Sequence, residues 1–187
     1  KSLRRYLGAF FVYSMAVQTI MIIAAYFGEK EVQWGSDSKR TMGLIVSILL
    51  IQLIAVLGAW LTSKLVVKYG NIVVLIGLNF SWILICTYAY FVITPNDFYI
   101  AAAFVGLVMG GIQSLSRSTY SKFIPEDTKD TTSFFSFYDV AEKIGIVIGM
   151  FTYGYIADVT GKIQNAILFL ILFFVIGLLL LLRVPKK

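Results

Sequence analysis

Long apolar stretches separated by short polar segments fill most of this chain. Six of them approach or exceed the roughly 20 mostly apolar residues that a helix needs to cross a bilayer. No strand-like alternation competes with them, and only helices or closed barrels can span lipid. The pattern therefore predicts an all-α integral membrane protein with a single six-span domain over residues 1–187. The predicted spans are Leu7–Phe27, Thr41–Leu61, Asn71–Ile93, Phe98–Leu115, Phe134–Ala157 and Asn165–Leu182.

Composition supports lipid as the solvent of this chain. Hydrophobic residues make up 59% of it and charged residues 14%, whereas soluble domains carry about 25% charged residues. The chain begins with Lys1 and shows no signal-peptide pattern, which indicates a piece of a longer protein. Cys86 is the only cysteine and histidine is absent, which excludes a Cys/His metal cluster and a disulfide framework. A Gly-rich phosphate loop is also absent, so we expect no metal and no cofactor.

Basic residues concentrate in alternate gaps between the predicted spans. The two chain ends and the second and fourth gaps together hold 11 Lys and Arg residues, and the opposite side holds 4. The positive-inside rule therefore predicts that both termini are cytoplasmic, and we expect a bacterial inner membrane. Because the basic residues flank spans and form no separate basic domain, the net charge of +6 does not predict a nucleic-acid partner.

The fifth predicted span carries three charged residues in its interior: Asp139, Glu142 and Lys143. An Asp or Lys at the centre of a spanning helix costs roughly 2.5–3.5 kcal/mol. Helical spacing places Asp139 within reach of Lys143, and Glu142 then needs another partner or a proton. We expect a substrate or proton site here, with Glu142 as the proton carrier. The alternative is a charge pair that only staples this helix to a neighbour.

Polar residues in the other spans predict which helices share an interior with the fifth. The first, second and fourth spans contribute such candidates for the pathway: Tyr13, Gln18, Gln52 and Gln113. The last span is apolar all round and the third nearly so, and we expect both to be peripheral and to face lipid. Glycines spaced four apart, Gly106 with Gly110 and Gly145 with Gly149, predict close helix packing, either static or sliding.

Two segments of the chain resemble a known transporter family. The run GGIQSLSRSTYSKFIP (Gly110–Pro125) is followed by FFSFYDVAEK (Phe134–Lys143). Together they resemble the carboxy-terminal half of the major facilitator superfamily, most closely its vacuole effluxer, autophagy-related branch and the bacterial relatives of that branch. The resemblance covers essentially the whole chain, as spans seven to twelve of a twelve-span carrier.

This resemblance implies one six-helix half of a major-facilitator fold. The expected activity is that of a secondary carrier that works by alternating access and exports amino acids or similar small metabolites. The expected partners are the lipid bilayer, the amino-terminal six-helix half of the same transporter and a small-molecule substrate. Lys143 matches a lysine of the family, whereas relatives commonly carry uncharged residues at the positions of Asp139 and Glu142.

The second gap, SKLVVKYGN (Ser63–Asn71), resembles the cytoplasmic Gly-x-Leu-Ala-Asp-Arg-x-Gly motif of the superfamily in degraded form. Lys68 and Gly70 match its basic residue and its second glycine, whereas Ser63 and Val67 replace its first glycine and its aspartate. The resemblance implies a cytoplasmic gate that includes Lys68 and Gly70.

The end of the fourth span adds a second part to this expected gate. Arg117 and Lys122 lie there, and Glu126 or Asp127 would hold them when the gate is closed. The alternative is that these basic residues only anchor the helix at the interface.

Two other functions compete with that of a half-carrier. A complete six-span protein could work as a homodimer with two copies forming the pore. An intramembrane enzyme would need a nucleophile with a base, or metal ligands, and no histidine exists to serve as either. Glu142 and Lys143 are adjacent and point about 100° apart on a helix. The sequence therefore predicts that the chain is not an enzyme.

Overall fold

The computed structural model describes residues 2–125 and 130–185, which contain six α-helices. Strands do not occur in these two ranges. The all-helical class predicted from the hydropathy pattern is therefore confirmed. The helices are α1 (Ser2–Glu31), α2 (Asp37–Tyr69), α3 (Asn71–Ala89), α4 (Pro95–Phe123), α5 (Thr131–Thr160) and α6 (Ile163–Leu181).

Five helices of the described ranges are long and apolar enough to cross a membrane: α1, α2, α3, α4 and α6. The prediction of a spanning segment is borne out for these five by length and composition. The remaining helix, α5, is 30 residues long but is not in that set. Its interior carries the charged residues Asp139, Glu142 and Lys143.

Capping residues set where the helices begin and end. At the start of α4, Thr94 and Asp97 form a capping box, in which the Asp97 backbone N–H donates to Thr94 Oγ1 and the Thr94 N–H donates to the Asp97 carboxylate. Between α2 and α3, Gly70 takes a φ of 82°, a backbone conformation that favours glycine. These local signals, and not the hydropathy, fix the helix boundaries.

The helix bounds differ from the predicted spans at most helix ends, and α2, α4 and α3 show the two kinds of difference. α2 continues to Tyr69 and α4 to Phe123, so that much of the predicted second and fourth gaps is helical. α3 ends at Ala89, four residues before the predicted end of its span at Ile93. Hydropathy marks the part of a helix that suits lipid, whereas a helix ends where its backbone hydrogen bonds end.

Glycines bring the backbones of α2 and α4 into direct contact. A Cβ atom on Gly110 would lie 2.0 Å from the carbonyl oxygen of Ala55, and one on Gly106 would lie 2.6 Å from that of Ile51. From the opposite helix, a Cβ atom on Gly58 would lie 2.0 Å from the Leu107 carbonyl oxygen. The close packing predicted from the glycine spacing in the fourth span is therefore confirmed.

Glycines also bring α1 and α5 into close contact. A Cβ atom on Gly149 would lie 2.1 Å from Thr19 Oγ1, and one on Gly145 would lie 3.1 Å from Met15 Cγ. Both glycines are buried, although most of α5 is exposed or half-buried. The glycine pair predicted in the fifth span thus sets how closely that helix approaches α1.

α6 is more enclosed than the sequence predicts. It packs against α1, α3 and α5, and Phe174 is fully buried with its ring stacked on that of Trp82 in α3, at a centroid distance of 5.7 Å. Gly177 lies against Tyr13 of α1. The expectation of a purely lipid-facing helix is wrong on this side, because uniform hydrophobicity does not reveal which face packs. Leu172 and Leu179 lie on the exposed side.

The most exposed apolar surfaces belong to α2 and α5. In α2 the described buried residues are small: Gly43, Ser47, Gly58 and Thr62. In α5, large apolar side chains remain open, among them Val147 and Phe151, whose exposed fractions are 69% and 76%. Within this chain, these two helices therefore lack a covering layer on one side.

Candidate functional site

A cavity of about 370 Å³ lies between α1, α4 and α5. It combines buried aromatic rings with polar side chains, and it includes one acid and one base, Glu142 and Arg117. α1 contributes Phe10, Tyr13, Ser14, Val17 and Gln18, α4 contributes Ile112, Gln113, Ser116 and Arg117, and α5 contributes Tyr138 and Glu142. Of the residues predicted from sequence for the pathway, the cavity brings together Tyr13, Gln18, Gln113 and Glu142, and it adds Arg117 from the predicted gate.

Glu142 is held by α1. The side-chain amide of Gln18 donates a hydrogen bond through Nε2 to Glu142 Oε1. Both side chains are half-buried and line the cavity. The carboxyl group that the sequence leaves without a partner therefore has one from a neighbouring helix.

A buried hydroxyl network forms one wall of the cavity. Tyr13 and Ser116 share a hydrogen bond of 2.7 Å between Tyr13 Oη and Ser116 Oγ. The Tyr6 hydroxyl donates to the Ser116 carbonyl oxygen at 2.7 Å and lies 3.3 Å from the Tyr13 hydroxyl. All three residues are buried. The network fixes α1 to α4 and holds the Tyr13 ring at the cavity.

Arg117 reaches from α4 to α5. Its Nη1 lies 3.5 Å from Asp139 Oδ1, and both side chains are about half exposed. Its guanidinium carbon lies 5.5 Å from the centre of the Phe135 ring and 5.9 Å from that of Tyr138. The Tyr138 ring stacks on Phe10 at 4.1 Å. The positive charge at the cavity is thus held between aromatic rings and one carboxylate.

This arrangement corrects the predicted pairing within α5. Asp139 forms its ion pair with Arg117, whereas Lys143 makes no ion pair or hydrogen bond with any part of the chain that the structure describes. Lys143 is exposed and does not line the cavity. Position explains the difference, because Lys143 lies about 100° around the helix from Glu142 and points towards the exposed side of α5.

Gln52 and Gln113 lie apart from each other. Gln113 is exposed at the cavity, and its amide donates to the Met21 sulfur at 3.2 Å. Gln52 lines a second cavity of about 270 Å³ between α1, α2 and α4. Within the described chain, therefore, α1, α4 and α5 share one cavity and α2 places Gln52 in another, so the shared interior of all four helices stays a prediction.

The residues of the predicted gate are also dispersed. Lys68 lies over the ring of Tyr69, 5.1 Å from its centre, and Gly70 forms the turn between α2 and α3. Arg117 pairs with Asp139 instead of a loop acid. Glu126 and Asp127, the expected acidic partners, lie outside the described residues.

A different polar cluster occupies the turn that contains Gly70. The buried side chain of Asn71 donates to Thr119 Oγ1 at 2.9 Å, and its carbonyl oxygen accepts from Lys122 Nζ at 2.9 Å. Lys122 thus contacts α3, and the cluster ties the α2–α3 turn to the end of α4.

Sequence reasoning missed Phe10, Ser14, Ser116 and Tyr138 at the cavity. Helical spacing offers a signal for all four, because each lies three or four residues from a predicted site residue: Phe10 from Tyr13, Ser14 from Gln18, Ser116 from Gln113, and Tyr138 from Glu142. Within the described ranges, no group of three or more His, Cys, Asp or Glu side chains is placed to hold a metal ion.

Known proteins similar to this chain are membrane transporters. Its sequence matches the family model described as vacuole effluxer Atg22 like over residues 1–187. It is 32% identical to the MFS-type transporter YxiO of Bacillus subtilis, over 100% of this chain and 42% of that protein. It is 29% identical to autophagy-related protein 22 of Eremothecium gossypii, over 91% of this chain and 34% of that protein.

A solved structure shares the fold. The fucose:proton symporter FucP of Escherichia coli matches with a TM-score of 0.77 at 18% sequence identity, over 100% of this chain and 43% of that one. At this identity the likeness concerns the fold alone. The chain spans between 34% and 43% of the length of these similar proteins.

Proposed function

Because the chain belongs to the vacuole effluxer Atg22-like family of major facilitator transporters, we propose that it is the carboxy-terminal six-helix half of a secondary carrier. The family consists of integral membrane transporters and not of enzymes. In this proposal α5 is the sixth spanning helix, and its charged residues face protein and water. The amino-terminal half of the same transporter covers the exposed faces of α2 and α5 and completes an alternating-access pathway.

The lengths of the similar proteins support a half-carrier over a homodimer of six-span chains. The matched region makes up less than half of YxiO and of autophagy-related protein 22. A parent protein of that size has room for a second set of six helices. Both ends of the described chain would then lie on the cytoplasmic side of a bacterial inner membrane. The basic residues between alternate spans support this orientation, and the similarity to a Bacillus protein supports a bacterial membrane.

The observation that carries the proposal is the cavity between α1, α4 and α5. It places uncharged donors such as Gln18 and Gln113 beside one acid and one base, Glu142 and Arg117. Sites with both signs of charge suit small molecules that carry both, such as amino acids. We therefore propose the export of amino acids or similar small metabolites as the activity of the whole transporter.

Lys143 and Gln52 complete the proposed pathway from outside this cavity. Both side chains are exposed on helices whose outer faces lack a covering layer. Once the amino-terminal half is present, these side chains would line the space between the two halves. Lys68, Gly70 and Arg117 would lie at its cytoplasmic end.

Glu142 is the proposed proton carrier. A carboxyl group is either protonated or ionised, and the contact with Gln18 is possible in both states, because the Gln18 amide donates to a carboxylate or to the carbonyl oxygen of a carboxylic acid. The protein therefore holds the group in place while its charge changes. Such intramembrane acids commonly form proton relays.

The test is solute-driven proton flux in proteoliposomes that contain the full parent transporter, an internal pH dye and a panel of amino acids. We expect Glu142→Gln to abolish the flux, whereas Glu29→Gln, the same change at an exposed position of α1, leaves it unchanged. Flux that persists in Glu142→Gln would overturn the assignment of this residue as the proton carrier.

One observation favours a purely structural role for the charges of α5. Glu142 contacts α1 and Asp139 contacts α4, so both acids join helices. If these contacts were only staples, Glu142→Gln would lower the melting temperature, and the protein that remained folded would transport as the wild type does. Measuring yield, melting temperature and flux on the same preparation separates the two roles.

A further inference from the structure

Arg117 lies against two aromatic rings and has one ion-pair partner among the described residues. Its guanidinium group lies within 6 Å of the centres of two aromatic rings, those of Phe135 and Tyr138. Rings at this distance attract a cation and restrict the plane of the group. Asp139 is the only ion-pair partner of Arg117 within residues 2–125 and 130–185.

The contact with Asp139 is weak by its geometry. The distance of 3.5 Å between Arg117 Nη1 and Asp139 Oδ1 exceeds the roughly 2.7–2.9 Å of a charge-assisted hydrogen bond. The side chains are 56% and 48% exposed, and ion pairs this open are worth about 0–1 kcal/mol. A guanidinium group has five N–H donors and suits a bidentate carboxylate, so Asp139 leaves most of this capacity unused.

The positions of the two acids of α5 separate their roles. Glu142 lines the cavity and is already bonded to Gln18. Asp139 lies about one turn away and does not line the cavity, whereas Arg117 does. A carboxylate inside the cavity can therefore reach Arg117, which lines it, although Asp139 does not.

We propose that Arg117 binds the carboxylate group of the transported solute, and that Asp139 is an intramolecular competitor for the same guanidinium group. This inference rests on the proposed function and deepens it, because it names the solute's anionic group and the residue that recognises it. Asp139 acts only through Arg117 in this scheme. It pairs with the guanidinium group when no solute is bound and gives way to a carboxylate that binds in bidentate geometry.

The scheme predicts opposite effects for the two partners of the ion pair. Asp139→Asn removes the competitor, and we expect carboxylate solutes to bind roughly two- to fivefold more tightly, which corresponds to losing an exposed ion pair. Arg117→Gln removes the binding group, and Arg117→Lys weakens it because lysine lacks the planar fork. If the ion pair between Arg117 and Asp139 only joined α4 to α5, removing either partner would weaken carboxylate binding to the same extent.

The experiment measures the reaction of Arg117 with phenylglyoxal in the full parent transporter, with peptide mass spectrometry as the readout. A mixture of neutral L-amino acids is compared with the mixture of the matching amino-acid amides, which lack only the carboxylate. We expect the acids to protect Arg117 and the amides to give little protection. In Asp139→Asn the half-protecting concentration of the acids should fall, and in Asp158→Asn, a control at an exposed position of α5, it should stay the same.

Equal protection by acids and amides would overturn the proposal, as would weaker protection in Asp139→Asn. If Asp139→Asn is not recovered folded, Asp139→Glu provides the test, because its longer carboxylate closes on Arg117 and should raise the half-protecting concentration. The labelling requires no transport. Protection without solute-driven flux would contradict the proposed function alone, and flux without selective protection would contradict this inference alone.

Discussion

At the scale of single residues, the cavity depends on polar groups that satisfy one another across helices. Tyr6, Tyr13 and Ser116 are buried, and each finds its partner on another helix or on its own helical face. A buried hydroxyl group left without a partner costs about 1–3 kcal/mol. The network therefore links the stability of the α1–α4 contact to the shape of the cavity.

The bond between Tyr13 and Ser116 predicts a non-additive pair of substitutions. Ser116→Ala and Tyr13→Phe should each lower the free energy of unfolding by about 1 kcal/mol. The double variant should lose little more than either single one, with a coupling energy of about 1 kcal/mol. Thermal unfolding of the full transporter in detergent measures all four proteins of this cycle.

Ser121→Ala is the matched control for this cycle, because Ser121 is exposed on the same helix and donates only to the Ser118 carbonyl oxygen. Its effect should stay within about 0.5 kcal/mol. Additive losses in the double variant would mean that the bond of 2.7 Å contributes nothing of its own.

At the scale of helices, glycine decides how closely two elements approach. α2 and α4 meet backbone to backbone at Gly58, Gly106 and Gly110. Small residues at such contacts replace the hydrophobic driving force that lipid-embedded helices lack. The relative position of α2 and α4 is therefore more sensitive to one added methyl group than to changes on their exposed faces.

Gly110→Ala should destabilise the protein by about 1–3 kcal/mol, the usual cost of overpacking. The added Cβ atom would lie 2.0 Å from the backbone oxygen of Ala55, which cannot move without the helix. Gly154→Ala is the matched control, because nothing lies within 4 Å of its Cβ position in α5. There, alanine should raise stability by up to about 1 kcal/mol through its helix propensity. Equal melting temperatures for the two variants would contradict this account of the α2–α4 contact.

The start of α5 predicts a pH dependence. Asp130 caps this helix, and hydrogen bonds from the Ser133 hydroxyl and then from the Ser133 backbone N–H lower the pKa of its carboxyl group. Because the folded-state pKa lies below the unfolded one, the cap contributes stability above the usual carboxyl pKa of about 3.9. This contribution is lost as the pH falls through the folded-state pKa.

Hydrogen exchange of the first turn of α5 tests this prediction. Between neutral pH and about pH 5, Asp130→Ala should show faster exchange there than the wild type. The difference should shrink as the pH falls below about 4, since only the wild type loses a charged cap. A difference that stays constant down to the lowest pH would show that the carboxylate charge plays no part.

At the scale of the whole molecule, the sequence predicts the helical class and the polar groups of the cavity better than it predicts their partners. The length of the apolar stretches is enough to identify five helices that could span a membrane. Gln18, Gln113 and Glu142 stand out because polar side chains are rare in such helices. The ion pair beside the cavity does not stand out, since Arg117 is equally typical of an interfacial anchor, and nothing in the sequence pairs Asp139 with Arg117 instead of with Lys143.

The direction in which a helix faces is the harder part of the prediction. α6 is apolar on every side, so its hydropathy gives no sign that Phe174 packs against Trp82. Gln52 is polar in an apolar helix and still faces a different cavity, because glycine contacts with α4 set the rotation of α2. The hydropathy pattern identifies which residues are unusual, whereas the packing of small residues between helices decides which side chains those residues contact.

Lys143 gives the sharpest prediction for the complete transporter. It lies about 18 Å along α5 from Thr131 and about 26 Å from Thr160, so a centred helix holds it close to the middle of a hydrocarbon core about 30 Å thick. From there the nearer interface is about 11 Å away, too far for a lysine side chain to snorkel to it. An exposed cation at this depth requires water or protein beside it, and the proposed pathway between the two halves would supply both.

Lys143→Ala should therefore abolish transport by the full protein and change the free energy of unfolding by less than about 0.5 kcal/mol, since the described chain holds no partner for this side chain. Lys39→Ala, the same change at an exposed position at the start of α2, should leave both transport and stability unchanged. Solute flux and melting temperature are measured on the same purified protein. A fall in melting temperature that accounts for the lost flux would assign Lys143 to an ion pair with the other half, and normal flux would remove it from the pathway.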